Sequence, residues 1–361
     1  MKKIIFAIIA LCSMTLQAQI VCLDSVQLTP ISEVILQDHS GKVVGVSDNY
    51  GRFSAVPVGM DTLYFSHIGY YDKLVVRNEW GDSILLSPRF YKLPDFIVDK
   101  NIGIHDYYKL QTITRTYQYI DSLPIYYTEA LVNYYVPAGS KKLKYVINSV
   151  RAYKNDDYIN ESKIEAGALN MGNNGLINFL KNSCIPLAKD YNLKGNEDKG
   201  LFTLYRDNME VGKIARLGSG DYELVYDYLK VSKASPKTVF GRRTEIIRKV
   251  ERQTLPVFST ISELRPYDFS TYQLSIQLST QYKDTKPVSL YSITEIYLLS
   301  KEGLSKKEFK SIDTDDFFGL IKHSYNVGAK EWEENKNAIP SVPEPIILSI
   351  GNNTLKLIPE K

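Results

Sequence analysis

Histidine and cysteine are scarce in this chain, and their spacing excludes the familiar metal sites. The 361 residues include four histidines and three cysteines. None of His39, His67, His105 and His323 belongs to an H-E-x-x-H motif or a comparable ligand pair. We therefore predict no metal site and no cofactor, and we interpret His67 as a packed or turn residue.

Motifs that carry catalysis are lacking as well. The sequence contains no Walker loop and no dinucleotide fingerprint, and Gly218-Ser219-Gly220 lacks the flanking spacing of a nucleophile elbow. The adjacent acids Asp156-Asp157 and Asp315-Asp316 do not present two carboxylates across a cleft, as a glycosidase requires. We predict no catalytic residue and a protein that is not an enzyme. A hydrolase whose acids are assembled only by the fold is an alternative.

After the N-terminus the chain has no apolar run long enough for a transmembrane helix, and we predict none there. At the N-terminus, Lys2 and Lys3 precede the apolar run Ile4–Met14, and more polar residues follow. This layout is typical of a secretory signal peptide. We predict a signal peptide at residues 1–19, with cleavage near Gln19, and an exported mature protein.

The three cysteines allow few disulfide arrangements. Cys12 lies within the predicted signal peptide, so Cys22 and Cys184 remain in an oxidising compartment. These two residues either form a disulfide or stay as separate buried thiols. A lipid anchor on Cys22 is disfavoured, because Val21 stands where the attachment motif requires a small residue.

The charge balance gives no reason to expect a nucleic-acid partner. The net charge is only +3 at neutral pH. Tyrosine is abundant, with 27 residues against 13 phenylalanines, and it is typical of sheet faces that are partly exposed to solvent. One basic stretch is interpreted either as a contact for anionic lipid headgroups or as the solvated face of a hairpin. It contains Lys230, Lys233, Lys237, Arg242, Arg243, Arg248, Lys249 and Arg252.

The clearest strand pattern lies in the N-terminal third. Val43–Val46 is rich in β-branched residues, which favour a strand. Asp48, Asn49 and Gly51 then supply turn chemistry, because Asp and Asn side chains bond nearby backbone and Gly accepts a positive φ. Arg52–Val56 is predicted to return as the second strand of a hairpin. Short strands separated by turns at this spacing predict a small β-sandwich.

Several runs of residues occur here in a fixed order: Thr29–Ile31, Gly41-Lys42, Val46–Asp48 with Gly51 and Phe53, and Asp61–Ser66 with Ile68–Tyr70. In this order they resemble the carboxypeptidase-regulatory-like domain. The resemblance implies a seven-stranded transthyretin-like β-sandwich over residues 20–99. It also implies a place in the periplasm or at the outer membrane, since that domain often precedes envelope proteins. The zinc site of a carboxypeptidase is not present, so the resemblance implies no activity.

Residues 107–361 are predicted to form a larger antiparallel β-rich domain of unknown function. Most of its segments are rich in Tyr, Val and Ile between turn signals, and a curved half-barrel, as in periplasmic lipid or lipoprotein carriers, is one candidate architecture. Tyr108–Ile120 fits a helix or a strand. The chain is also predicted to contain two short helices, Leu176–Leu180 and Phe317–His323, and two edge strands, Ile346–Leu348 and Thr354–Leu357.

Together these features predict a non-catalytic binding or scaffolding protein of the periplasm or outer membrane. Its ligand is a glycan, a lipid or another envelope protein, and the oligomeric state stays open. An accessory or relative of TonB-dependent receptors is the alternative from the transport class. Lys and Asp interrupt most of the predicted strands, which disfavours a membrane barrel with an apolar outer face.

Overall fold

A computed structural model of the chain divides into two compact units, residues 1–89 and residues 90–361. The structure describes residues 20–39, 42–48, 50–53, 59–67, 69–88, 106–121, 123–137, 143–158, 191–196, 200–217, 220–231, 236–239, 241–255, 268–282, 286–313, 324–335 and 339–360. The predicted signal peptide, Cys184 and both predicted short helices lie outside these residues.

Strands dominate the described residues, which confirms the mainly β prediction. Unit 1 contains β1 (Val21–Asp24), β2 (Ile35–Gln37), β3 (Val43–Val46), β4 (Thr62–His67), β5 (Tyr70–Val76) and β6 (Ser83–Leu86). Unit 2 contains β7 (Tyr107–Ile120), β8 (Leu123–Pro137), β9 (Lys144–Lys154), β10 (Tyr191–Asn196), β11 (Leu201–Arg206), β12 (Met209–Arg216), β13 (Tyr222–Asp227), β14 (Lys237–Val239), β15 (Arg242–Leu255), β16 (Thr271–Tyr282), β17 (Val288–Leu304) and β18 (Lys356–Leu357). Its helices are α1 (Tyr228–Val231), α2 (Lys306–Ser311), α3 (Lys330–Asn335) and α4 (Glu344–Gly351).

Unit 1 is built from two small sheets around one core. Strands β1 and β6 pair in parallel, and β3-β2-β4-β5 form an antiparallel sheet. Alternate residues such as Leu36, Leu63 and Phe65 point into the core, and the Phe65 ring meets Phe53 edge-on at 5.9 Å. Ile20 and Cys22 of the first strand region belong to the same cluster, so both sheets contribute to one sandwich core.

The turn around Asp48 and Gly51 forms as predicted, and residues 54–56 of the predicted return strand lie outside the described residues. The Asp48 carboxylate accepts hydrogen bonds from the backbone N–H groups of Tyr50 and Arg52, and Gly51 has φ of +72°. A Cβ at Gly51 would lie 2.5 Å from the carbonyl oxygen of Cys22, so the chain passes tightly against β1. Strand β3 therefore pairs with the preceding strand β2, and the residue after the turn, Arg52, bridges Val21.

Unit 2 is a twelve-stranded antiparallel sheet. Its order is β10-β11-β12-β13-β15-β16-β17-β7-β8-β9-β18, with β14 paired to β15 outside this path. The segment Tyr108–Ile120, which fitted a helix or a strand, lies in β7, a strand of 14 residues between β17 and β8. Strands of 14, 15 and 17 residues in β7, β8 and β17 form the middle of the sheet, where side chains on both faces are buried.

The two faces of the large sheet differ in chemistry because successive side chains alternate. One, which we name the apolar face, belongs to a hydrophobic cluster that draws on nine strands. It carries Leu110, Ala130, Val132, Val150, Ala152, Leu204, Ile214, Leu224, Tyr226, Tyr272, Leu274, Ile276, Ile296 and Leu298. The other, which we name the polar face, carries buried charges that lie in one register row.

The C-terminal prediction was wrong for one of its two strands. Ile346–Leu348 lies in helix α4 and not in an edge strand. Pro345 stands in the first turn, where its missing N–H costs nothing, and the Ser349 hydroxyl donates to the Pro345 carbonyl oxygen at 2.8 Å. Lys356–Leu357 of the other predicted strand does pair with β9. No helix among the described residues is long and apolar enough to cross a membrane.

Candidate functional site

His67, Asp156 and Asp157 have structural contacts, whereas His39 is exposed. His67 is buried, its Nδ1 atom accepts from the Gly69 N–H at 3.0 Å, and its ring packs against Tyr70 at 4.9 Å. Asp156 and Asp157 form separate ion pairs with lysines at 2.7 and 3.3 Å. The described residues contain no group of three or more His, Cys, Asp or Glu arranged to hold a metal ion. His105, His323 and the pair 315–316 lie outside the described residues.

Cys22 is a buried free thiol in the core of unit 1. Burial raises the pKa of this thiol to about 12, and nearby Lys73 opposes the shift only weakly. A lipid anchor on this side chain would have to remove it from the core. The burial therefore agrees with the prediction that Cys22 is not an anchor.

The basic stretch is divided between the two faces of the sheet, so it is not one charged patch. Arg248 and Arg252 lie on the polar face, and the Arg252 guanidinium donates to Glu223 at 2.6 Å while being almost fully buried. Lys249 lies on the apolar face with its Nζ atom 4.2 Å from the centre of the Tyr228 ring. Because strand alternation separates Arg248 and Arg252 from Lys249, these three residues do not share one headgroup contact or one solvated face. Lys237 and Arg243 of the same stretch are exposed, and Lys233 lies outside the described residues.

A row of six residues crosses the polar face at one register level. It runs through β9, β8, β7, β17, β16 and β15. The charges alternate in sign over the first four positions, which places each carboxylate beside a guanidinium. We name this the charged row; it consists of Arg151, Glu129, Arg115, Glu295, Gln273 and Arg252.

The centre of the charged row is satisfied by direct hydrogen bonds. Glu129 accepts from Nε of Arg115 at 2.7 Å and from Nη2 of Arg151 at 2.6 Å. Nη1 of Arg115 donates to the Pro340 carbonyl oxygen at 2.6 Å, and the Arg151 guanidinium lies 4.1 Å from the centre of the Trp332 ring. Residues from the C-terminal segment therefore cover this part of the row and complete its pairing.

Neighbouring groups keep the central guanidinium charged. Burial alone lowers the pKa of Arg115, but Tyr127, Tyr117 and Glu129 outweigh burial and raise it well above its ordinary value. On the other side of Arg115, Glu295 accepts from the hydroxyls of Tyr117 at 3.0 Å and Tyr297 at 2.9 Å. Glu129 and Glu295 flank Arg115 as paired, buried carboxylates, which suits a structural network and not the water-filled acid pair of a hydrolase.

A second buried carboxylate arrangement lies on the apolar face. Glu251 stands between Leu274 and Tyr226 on the neighbouring strands, and it is 1% exposed. Its Oε2 atom accepts from the hydroxyl of Tyr228, and its Oε1 atom accepts from Nε2 of Gln253 at 2.9 Å. We name Glu251, Gln253, Tyr228 and Lys249 the Glu251 cluster.

The Glu251 cluster has chemical features that the charged row lacks. Burial raises the pKa of Glu251 to about 7, although the bonds from Tyr228 and Gln253 and the charge of Lys249 each oppose that shift. The Oε1 atom of Gln253 is buried and receives no hydrogen bond from the described residues. An ionisable carboxyl and an acceptor without a hydrogen bond from the described residues therefore lie among apolar side chains. Ligand sites often combine apolar surroundings with a few polar groups of this kind.

Sequence reasoning did not identify this cluster. In the sequence, Glu251 and Gln253 lie among the charged residues of the basic stretch, and no motif distinguishes them. Strand β15 (Arg242–Leu255) carries charged residues on both alternating positions, so its pattern does not reveal a buried face. Only pairing with the apolar strands β13 and β16 shows that positions 249, 251 and 253 face the hydrophobic cluster.

Comparison with known proteins leaves the family open. No family model matches the chain, and no curated protein matches it. A solved structure of lipid–protein interactions in lipovitellin is similar at 8% identity and a TM-score of 0.28, over 67% of this chain and 28% of that chain. The Pseudomonas aeruginosa structure OccK2 (OpdF) is similar at 7% identity and a TM-score of 0.14, over 59% of this chain and 72% of that one. Scores this low support no argument about fold or function, and this chain spans little more than a quarter of the lipovitellin chain.

Proposed function

We propose that this protein is an exported, non-catalytic binding protein of the periplasm or outer membrane that holds the apolar chain of a lipid against the apolar face of its large sheet. The observation that carries the proposal is the connected hydrophobic cluster on that face, which extends through nine strands. An enzyme site is less well supported, because the buried acids of the polar face are engaged by arginines and tyrosines.

The chemistry of the apolar face favours a lipid over a glycan. Removing apolar surface from water contributes about 25 cal/mol per Å², or about 0.8 kcal/mol for each methylene group buried. An acyl chain presents many methylene groups and few polar atoms, so it matches a surface of Leu, Ile, Val and Ala side chains. A glycan carries hydroxyls along its whole length, and these would stay unpaired there.

Photo-crosslinking tests this proposal at the level of single residues. The full chain is incubated with palmitic acid that carries a diazirine in mid-chain, irradiated, and mapped by tandem mass spectrometry. We expect labels at Leu274 and Ile276, which lie on the apolar face of β16. Gln273 and Ser275 of the same strand face the opposite side and provide the internal control.

The alternation of labels decides the result. Labels confined to the even positions of β16 and to the residues of β15 and β17 that pair with those positions support a lipid bound on the apolar face. Labels on both sets of positions, or only on exposed residues such as Ile247 and Leu357, contradict it. A scaffolding protein without a lipid site would give no saturable labelling in competition with unlabelled palmitic acid.

Export is tested separately by cell fractionation and the intact mass of the mature protein. We expect a product that starts near Gln19 or Ile20 and carries no acyl mass on Cys22. Ile20 is buried in the unit 1 core, and its carbonyl oxygen accepts from the Phe53 N–H at 3.3 Å. A product that retains residues 1–19 in the cytoplasmic fraction would contradict export.

A further inference from the structure

The amide of Gln253 carries an acceptor that the fold leaves open. Its Nε2 atom donates to Glu251 at 2.9 Å, which fixes the amide so that Oε1 points away from the carboxylate. The side chain is fully buried, and its Oε1 atom receives no hydrogen bond from the described residues. Its neighbours on the adjacent strands are Leu224 and Tyr272, both members of the hydrophobic cluster. An acceptor in these surroundings is costly unless a donor meets it.

We propose that the Glu251 cluster is the head-group site for a neutral lipid with a free hydroxyl, such as a long-chain alcohol or a monoacylglycerol. The ligand hydroxyl donates to Oε1 of Gln253, and the alkyl chain lies along the adjacent apolar face beside Leu224 and Leu274. This assignment rests on the proposed lipid-binding function and names the head group that the site selects.

Other head groups fit the cluster less well. A carboxylate or phosphate would bring a second negative charge beside Glu251, and only Lys249 is placed in the cluster to offset it. An ammonium group would place a second positive charge in the cluster beside Lys249, and it would lose its hydration among apolar side chains. A plain hydrocarbon would leave the Gln253 acceptor unpaired. A hydroxyl supplies one donor and no charge, which is what the open acceptor requires.

Competition with a fluorescent dye tests the head-group preference. The full chain is loaded with N-phenyl-1-naphthylamine, and the dye is displaced by 1-decanol or by 1-methoxydecane. The two compounds have similar chains, but the methyl ether cannot donate a hydrogen bond. We expect 1-decanol to compete on the order of tenfold better, because only it satisfies the buried acceptor.

Two variants of Gln253 and one control variant test whether Gln253 causes the preference for 1-decanol. Gln253→Met keeps the length of the side chain and removes the acceptor, and Gln253→Asn withdraws the acceptor by one methylene. We expect both to reduce the preference for 1-decanol towards unity. Gln277→Met changes a glutamine on the polar face of β16 and should leave the preference unchanged. Circular dichroism confirms that each variant is folded.

The outcomes separate this inference from the proposed function. Equal competition by the two compounds in the unaltered protein overturns the head-group assignment even if no variant folds, while dye binding and chain labelling on the apolar face would keep the proposed function. A preference that survives Gln253→Met and Gln253→Asn also overturns the assignment. If neither dye nor photoreactive lipid binds, the proposed function fails, and the assignment fails with it.

Discussion

The buried carboxylates on the two faces of the large sheet have different hydrogen-bond partners. On the polar face, Glu129 is held by the guanidinium groups of Arg115 and Arg151. On the apolar face, Glu251 accepts its two hydrogen bonds from neutral donors, Tyr228 and Gln253. Similar burial therefore gives one carboxylate that is part of an ion network and one whose pKa is raised to about 7. The hydrogen-bond partners, more than the depth of burial, distinguish these two carboxylates.

The largest loss of stability is expected when the central cation of the polar face is removed. Arg115→Met leaves the Pro340 carbonyl oxygen without its donor and Glu129 with a single guanidinium. We expect the free energy of unfolding of unit 2 to fall by about 3–5 kcal/mol, because the buried Glu129 carboxylate loses one of its two guanidinium partners. Urea unfolding followed by Trp332 fluorescence in a Trp80→Phe background measures this for unit 2 alone.

A matched pair on the surface provides the control for Arg115. Lys109→Met removes the 3.4 Å ion pair with Glu302, in which both side chains are partly exposed. The expected loss is about 0–1 kcal/mol, since solvent screens such pairs. Equal losses for the two variants would show that the charged row contributes no more than a surface pair.

The apolar face is tested by the pH dependence of stability. The pKa of Glu251 is about 7 in the folded protein and near its ordinary value of 4.5 when unfolded, so the folded state binds the proton more tightly. The stabilisation from this group is fully present below pH 4.5 and is lost as the pH rises through about 7. The total loss is about 3 kcal/mol.

Glu251→Gln isolates that contribution. We expect the variant to lack this part of the decline in stability between pH 4.5 and 7, because the amide does not titrate. Urea unfolding of both proteins at a series of pH values measures the difference. Parallel pH profiles for the variant and the unaltered protein would show that Glu251 does not titrate in this range.

A smaller effect than that of Glu251 is expected at the outer end of the charged row. Arg151→Lys keeps the positive charge but loses the planar guanidinium that stacks 4.1 Å from the centre of the Trp332 ring. We expect a loss of about 1 kcal/mol and a change in the Trp332 emission spectrum. An unchanged spectrum would show that Trp332 does not contact Arg151 in solution.

Local chemistry was predictable from the sequence, and strand partners were not. The turn at Asp48 and Gly51 follows from side-chain bonding and a positive φ, which four or five residues determine. The pairing of Arg52 with Val21 depends on a strand some 30 residues away, about which the turn carries no information. Ile346–Leu348 shows the related error, since its apolar run fits a buried strand or a helix and Pro345 with Ser349 favours the helix.

Neither buried polar arrangement could be assembled from the sequence. Arg115 and Glu129 are 14 positions apart, and Glu295 lies a further 166 positions along the chain, yet β8, β7 and β17 place all three in one row. A single arginine in the middle of the Thr- and Tyr-rich strand β7 was the one local signal. The role of Glu251 was hidden for the same reason, because register with β13 and β16 determines its face.

The pairing of β17 with β7 also determines when the large sheet can form. Strands β7–β9 and β10–β16 pair mostly with neighbours in sequence, whereas the contact between Thr116 and Thr294 spans 178 positions. Closing so long a loop has a high entropic cost, which slows the formation of this contact. Strands β7–β9 and β10–β16 can therefore join into one sheet only after β17 is available to pair with β16 and β7. Until residues 288–304 emerge, the long edge of β7 is open to pairing with other chains. We therefore expect a chain that stops before β17 is complete to expose an aggregation-prone edge on β7.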